Sequence, residues 1–274
     1  MPQQDQKMIF GHPVGLYVLF FTELWERFSY YGMRAILVLY LTAKTDTSNA
    51  GLGWENASAL ELYGWYTMMV YVMSVPGGII ADRLLGQKKT VMLGGVLLCI
   101  GHIVLAIDAL WAFYTGLIFI VLGVGALKLN ISTMVGGLYR PGDARRDSGF
   151  TIFYIGINIG AFAAPLLVGY VGEVINWHYG FGLAGIGMAI GQIVYVFGQK
   201  HLKGIGEYQG PSRDEGQPRS KPLTDIEKDR LKVLLLSFVV VIVFWGAYEQ
   251  AGGLMNLYAK EKIDRVMFGF TVPA

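Results

Sequence analysis

Apolar residues in this chain run in blocks of bilayer-spanning length, roughly 20 residues each, separated by short polar stretches. The blocks predict seven α-helical spans, at residues 13–41, 63–80, 90–107, 110–135, 149–171, 179–197 and 233–257. Glycines recur inside them at small-residue spacing, as at Gly156 and Gly160 and at Gly182, Gly185 and Gly187. In water such glycines weaken helices, whereas in lipid they allow helices to approach closely. Pro76 and Pro165 also fall within spans, where neighbouring helices can satisfy the carbonyls they free. The pattern predicts an all-α polytopic membrane protein.

Composition agrees with the pattern. Of 274 residues, 54% are hydrophobic and 15% charged, against about a quarter charged in soluble domains. Cys99 is the single cysteine, which excludes a disulfide framework or a cysteine metal site. The first apolar block is too long, and too rich in glutamate, for a cleavable signal peptide. The basic residues occupy loops rather than one stripe, so nothing points to nucleic acid. With the N-terminus inside, Lys7, the group Arg83, Lys88 and Lys89, the group Arg140, Arg145 and Arg146, and eight more between Lys200 and Lys232 lie on the cytoplasmic side. Lys44, Lys260, Lys262 and Arg265 remain outside, so the positive-inside rule predicts a cytoplasmic N-terminus in the plasma (inner) membrane.

Residues 204–229 are polar, with Pro, Gly, Ser and alternating charges, and read as a linker between bundles. The expected organisation is a six-helix N-terminal bundle at 1–199, a cytoplasmic linker at 200–229 and the first helix of a second bundle at 230–274. Thr224, with Glu227 three residues on, suits a capped lead into the seventh helix.

A charge at bilayer depth costs at least about 2.5 kcal/mol on insertion scales and must be paired, hydrated or useful. The first span carries Glu23, Glu26, Arg27, Tyr30 and Arg34 at helical offsets that share one face, with Tyr31 beside them. A salt-bridged stripe that only joins helices would need one such pair. Here Arg34 stands two turns beyond Arg27, which leaves its guanidinium free to face a cavity and take a carboxylate. Lys128 lies deep in the fourth span unless it snorkels outward, and Glu249 lies as a remote carboxylate in the seventh. Together these groups form the kind of proton relay that carriers use. Tyr71 and Asn158 sit within spans, where packing and cargo contact are both consistent with their chemistry. The turn from Gly78 to Lys89, with Asp82, Arg83, Gly86 and Lys88, suits a conformational latch in which Asp82 holds a helix N-terminus or a neighbouring arginine.

That turn resembles the signature of the major facilitator superfamily. The run from Glu23 to Gly32, ELWERFSYYG, resembles the ExxERFxYYG signature of proton-dependent oligopeptide transporters. The run from Phe153 to Gly160, FYIGINIG, matches that family's FYxxINxG, and Phe244-Trp245 with Tyr248-Glu249-Gln250 resembles its seventh helix. The resemblance implies a symporter of di- and tripeptides that works by alternating access, with protons as the coupling ion and no other cofactor. It implies proton coupling by Glu23, Glu26, Arg27, Lys128 and Glu249. It places Tyr30, Tyr31, Arg34, Tyr71, Lys128 and Asn158 at the peptide, and implies action as a monomer amid membrane lipid. Members of that family have twelve or fourteen spans, so seven are expected to represent part of a longer protein. His12, His102, His178 and His201 lie near span ends or in apolar surroundings, so coupling is expected to rest on carboxylates.

Rival readings are an intramembrane glutamate protease, a carrier of another anion such as nitrate, and a sensor without transport. The protease lacks a histidine pair beside Glu23 and Glu26, and neither a zinc-protease nor a serine-nucleophile motif is present, so no enzyme is expected.

Overall fold

Helix α1 (Val14–Thr42), 29 residues long, is the spine of the structure. Leu16, Leu19, Met33, Ile36, Leu37, Leu39 and Leu41 on it are fully buried. It is preceded by a small hairpin of β1 (Met8–Ile9) and β2 (His12–Pro13). This computed structural model describes residues 7–208, 210, 223–267 and 269–274.

Helices α2 (Asn56–Val72) and α3 (Ser74–Ile80) form one spanning rod with a joint at Met73, closed by a π-helical turn at Ala81–Leu85. Helices α4 (Gln87–Leu105), α5 (Leu110–Gly137), α6 (Arg145–Tyr170) and α7 (Trp177–Gly198) complete a six-span bundle. Beyond the segment 211–222, outside the described residues, come α8 (Asp225–Tyr248) and the short α9 (Leu254–Lys262). A second small hairpin pairs β3 (Val266–Met267) with β4 (Phe270–Thr271). Among the described residues, six helical segments are long and apolar enough to cross a membrane. Helix α1 has the length as well, but it carries four charges.

Glycine decides how closely the helices pack. A Cβ on Gly94 would lie 2.7 Å from the Gly123 carbonyl oxygen, and one on Gly123 2.8 Å from the Gly94 carbonyl. Two turns along, Gly101 and Gly116 repeat the contact at 3.0 and 2.9 Å, so α4 and α5 run antiparallel with their backbones touching. Gly156 and Gly160 seat α6 on α1 against Phe20 and the Leu24 carbonyl, and Gly187 seats α7 against Phe28. Of the other glycines singled out in that helix, Gly185 meets His102, whereas Gly182 has only an ordinary contact with Ala106.

The predicted spans need three corrections. The second starts at Asn56, seven residues before 63, because Ala59 is buried and the polar residues between are exposed. Pro76 lies in the first turn of α3, after the joint, where its missing N–H costs little. The seventh is not continuous: α8 passes through a tight 3-10 turn at Glu249–Gly252 and breaks at Gly253 before α9. The lead into α8 carries the expected capping box between Thr224 and Glu227, with Asp225 in its first turn. Residues 209 and 211–222 of the predicted linker lie outside the described residues. Its first residues do not hang free: Gly206 accepts from the Lys88 amide at 2.9 Å, and the Tyr208 hydroxyl donates to the Arg83 carbonyl at 2.9 Å.

Gly94→Val and Gly123→Val are each expected to cost about 1–3 kcal/mol by forcing α4 and α5 apart, read as loss of thermal stability in detergent micelles. Gly64→Ala, which meets nothing within 4 Å, is expected to be neutral or to gain up to about 1 kcal/mol from helix propensity.

Candidate functional site

The polar face of α1 is buried, and its charges fall into two groups. In the first, Arg27 Nε lies 2.8 Å from Glu23 Oε1 and 2.6 Å from Glu26 Oε2, with all three side chains 3% exposed or less. One guanidinium thus faces two carboxylates. Among the described residues, Glu23 Oε2, both Glu26 oxygens and Arg27 Nη2 make no hydrogen bond. Two carboxylates against one arginine carry an excess negative charge in surroundings that penalise it heavily. Lys128, on α5, is the nearby cation whose field reaches Glu26, Glu23 and Glu249. Its ammonium sits 4.1 Å from the centre of the Tyr71 ring, a cation–π contact that steers it inward rather than out to a headgroup.

The second group is built on Arg34, and here the expectation of a free guanidinium is overturned. Arg34 Nη2 is ion-paired with Glu249 Oε2, and its Nε donates to the Tyr63 hydroxyl. The Arg34 and Glu249 side chains are 8% and 19% exposed. Glu249 is therefore not remote. The turn that ends α8 swings its carboxylate onto α1, where Tyr63 donates to the Glu249 carbonyl at 3.3 Å and the Tyr71 hydroxyl reaches Glu249 Oε1 at 3.3 Å. Gly252 and Gly253 make the approach possible, since a Cβ on Gly252 would meet the Tyr63 hydroxyl and Arg34 Nε. Asn256 of α9 fixes the elbow by donating to the Ala35 carbonyl at 2.8 Å.

Aromatic rings join the two groups. Tyr30 lies under Arg27 at 5.7 Å, packs edge-on against Tyr31 and stacks on Tyr66 at 6.5 Å between centroids. Arg34 lies over Tyr31 and Tyr63 at 5.9 and 5.3 Å. Of the predicted residues, Glu23, Glu26, Arg27, Tyr30, Tyr31, Arg34, Tyr71, Lys128 and Glu249 therefore share one continuous region. Asn158 stands apart from it by contact: it is exposed and donates to the Tyr154 carbonyl of its own helix at 2.8 Å.

Tyr63 and Tyr66 escaped the sequence reading. With the second span started at residue 63, Tyr63 counted as an end residue, whereas the helix begins two turns earlier. The spacing of Tyr63, Tyr66, Val70 and Tyr71 along one helical face carried the signal. Asn130 was missed too. It is buried, donates to the Ala126 carbonyl at 2.7 Å and reaches across to the Gly77 carbonyl at 3.3 Å, tying α5 to α3.

The turn after α3 lacks the contacts expected of Asp82. Asp82 accepts from the Gln87 side chain at 3.2 Å, and among the described residues neither an arginine nor the amides of a helix N-terminus hold it. Gly86, at φ +78°, makes the turn that starts α4. Gly78 meets nothing, and the glycine that packs closely is its neighbour Gly77, against Gly125. Lys88 Nζ reaches Glu207 at 3.5 Å, and the side chain of Arg83 is exposed.

Residues 88–214 match the family profile PTR2, the POT family. A di-/tripeptide transporter of Lactococcus lactis subsp. lactis is 46% identical over 247 residues, covering 89% of this chain and 48% of that protein. The peptide transporter YePEPT of Yersinia enterocolitica is 34% identical, over 97% of this chain and 64% of that protein. The chain thus spans about half to two thirds of the length of these relatives. A crystal structure of the peptide transporter POT in complex with sulfate superposes with a TM-score of 0.83 at 35% identity, covering all of this chain and 67% of that one. The buried charges of α1, set in this architecture and alongside these similarities, place the chain in the POT family.

Proposed function

We propose that the full-length protein imports di- and tripeptides together with protons by alternating access, in the cytoplasmic membrane with its N-terminus inside. The observation that carries this reading is the ion pair of Arg34 with Glu249. It joins the first helix of the six-span bundle to the first helix after the linker, beside a carboxylate pair that Arg27 alone does not balance. The relative from Lactococcus lactis is named a di-/tripeptide transporter, and a POT family transporter 32% identical to this chain was crystallised with a thioalcohol-conjugated peptide.

The chemistry follows from competition for the arginine. A proton on Glu249 removes the countercharge of Arg34 and frees the guanidinium for a peptide carboxylate, which it can bind through two parallel N–H groups. Tyr30, Tyr31 and Tyr71 then offer hydroxyls and ring faces to the peptide backbone. Lys128 supplies a second cation, and Asn158 could join only by giving up its bond to the Tyr154 carbonyl. A second proton on Glu23 or Glu26 cancels the excess negative charge around Arg27. Loss of both protons restores the Arg34–Glu249 pair, expels the peptide and resets the two bundles. The protein would work as a monomer, since each group named belongs to one chain. A nitrate-type carrier would use the same arginine without the tyrosines.

Full-length protein in proteoliposomes is expected to accumulate labelled dialanine under an inward proton gradient, and a protonophore is expected to abolish the accumulation. Glu26→Gln should lower gradient-driven uptake at least tenfold while peptide exchange without a gradient survives. Uptake of nitrate in place of dialanine would overturn the peptide reading, and unchanged proton dependence in both Glu26→Gln and Glu249→Gln would overturn the coupling.

A separate test concerns the ion pair. Glu249→Gln leaves Arg34 buried without its countercharge and is expected to cost about 3 kcal/mol. The double replacement Arg34→Leu with Glu249→Leu should restore most of that loss in thermal unfolding.

A further inference from the structure

At the end of the bundle that holds Lys88 and Lys89, a cavity of about 560 Å³ opens between the start of α4 and the end of α7. Its walls include Lys88, Lys89, Met92, Gln199, Glu207 and Tyr208. None of these residues takes part in the site on α1. We propose that this cavity binds the headgroup of an anionic phospholipid of the inner leaflet.

The charges suit a phosphodiester. Lys89 is exposed and has no ion-pair partner among the described residues. Lys88 is held only by the long 3.5 Å contact with Glu207, so its ammonium is not fully engaged. Among the described residues Glu207 is the one acid on the wall. The Gly204 amide and Lys88 hold its carboxyl below the ordinary glutamate range, which keeps it a countercharge for Lys88 and leaves Lys89 unbalanced. Gln199 adds an amide to the wall, and Tyr208 is tied by its hydroxyl to the Arg83 carbonyl, which fixes the outer wall.

The apolar surroundings distinguish a lipid from free phosphate. Met92 lines the cavity on its membrane side. From there an exposed apolar strip continues along α4 through Leu93 and Val96, and a second along α7 through Ile193 and Ile190. Two apolar tracks leading away from one basic pocket match a diacyl lipid with its phosphate at the lysines. The assignment to the inner leaflet rests on the cytoplasmic placement of this end by its Lys and Arg content. Basic pockets between helices on that side are a recurrent form of anionic-lipid recognition, and a lysine drawn to an anionic membrane surface contributes about fivefold in affinity, the scale used for the test below.

The test is native mass spectrometry of the full-length protein in detergent with equimolar phosphatidylglycerol and phosphatidylcholine. The wild type is expected to retain phosphatidylglycerol preferentially. Lys89→Gln should weaken that retention about fivefold, and the pair Lys88→Gln with Lys89→Gln should weaken it further. Thermal unfolding identifies any variant that fails to fold, and the exposed, unpaired Lys89 makes its single variant the safer readout. The control pair Arg230→Gln with Lys232→Gln, at the start of α8, should leave retention unchanged. Equal loss in that control would mean diffuse attraction to the basic face and would overturn the site. Displacement of the lipid by millimolar inorganic phosphate would make it a phosphate site and overturn the lipid assignment, as would equal retention of the two lipids by the wild type.

Discussion

A charged side chain withdrawn from water keeps its charge only while an opposite charge or a set of hydrogen bonds stays beside it. Helix α1 carries four such side chains at its centre, and much of the rest of the bundle is arranged to meet that demand. α2 supplies Tyr63 to Arg34, α5 brings Lys128 under the influence of the glutamates, and the elbow after α8 delivers Glu249. Glycine lets some of these groups come close: Gly252 and Gly253 admit the elbow against Tyr63 and Arg34, and Gly77 and Gly125 bring α3 and α5 into backbone contact. Packing of the smallest residue and placement of the largest charges are two parts of one requirement.

That dependence explains which features were legible in the sequence. Apolar blocks of membrane length name the helices, because in lipid each spanning segment must satisfy its own backbone. The offsets of Glu23, Glu26, Arg27, Tyr30 and Arg34 name the face they share, because helical periodicity is local. What periodicity does not carry is which face meets which. Arg34 looked free because its partner lies 215 residues further along the chain. Glu249 looked like part of an unbroken span because Gly252 and Gly253 read as ordinary membrane glycines rather than as a joint. Tyr63 was lost to a boundary placed two turns late, and polar residues at the start of α2 caused that error. Asp82 was assigned to an arginine or to the amides of a helix N-terminus, whereas a neighbour five residues away satisfied it. Each miss is a case where a contact distant in sequence, or a local one of the wrong type, outcompeted the expected partner.

The two ends of the bundle are held by different means. On the side of the α3–α4 turn, Gly86 turns the chain and residues 206–208 close over it through the Lys88 amide and the Tyr208 hydroxyl. At the opposite end, Asn49 bonds both the Gly172 and Glu173 carbonyls and accepts from the Trp177 amide, while Arg265 pairs with Glu173 at 2.9 Å. Most of these clasps use backbone atoms, which fixes their geometry without demanding a particular ionisation state.

The break at Gly253 has a mechanical side. α8 is a helix of 24 residues, about 36 Å from end to end, and it touches the six-span bundle chiefly through the elbow at its C-terminal end. The joint also lets one span grip α1 twice: α8 ends with the Glu249 carboxylate on Arg34, and α9 sets off beyond Gly253 with Asn256 donating to the Ala35 carbonyl.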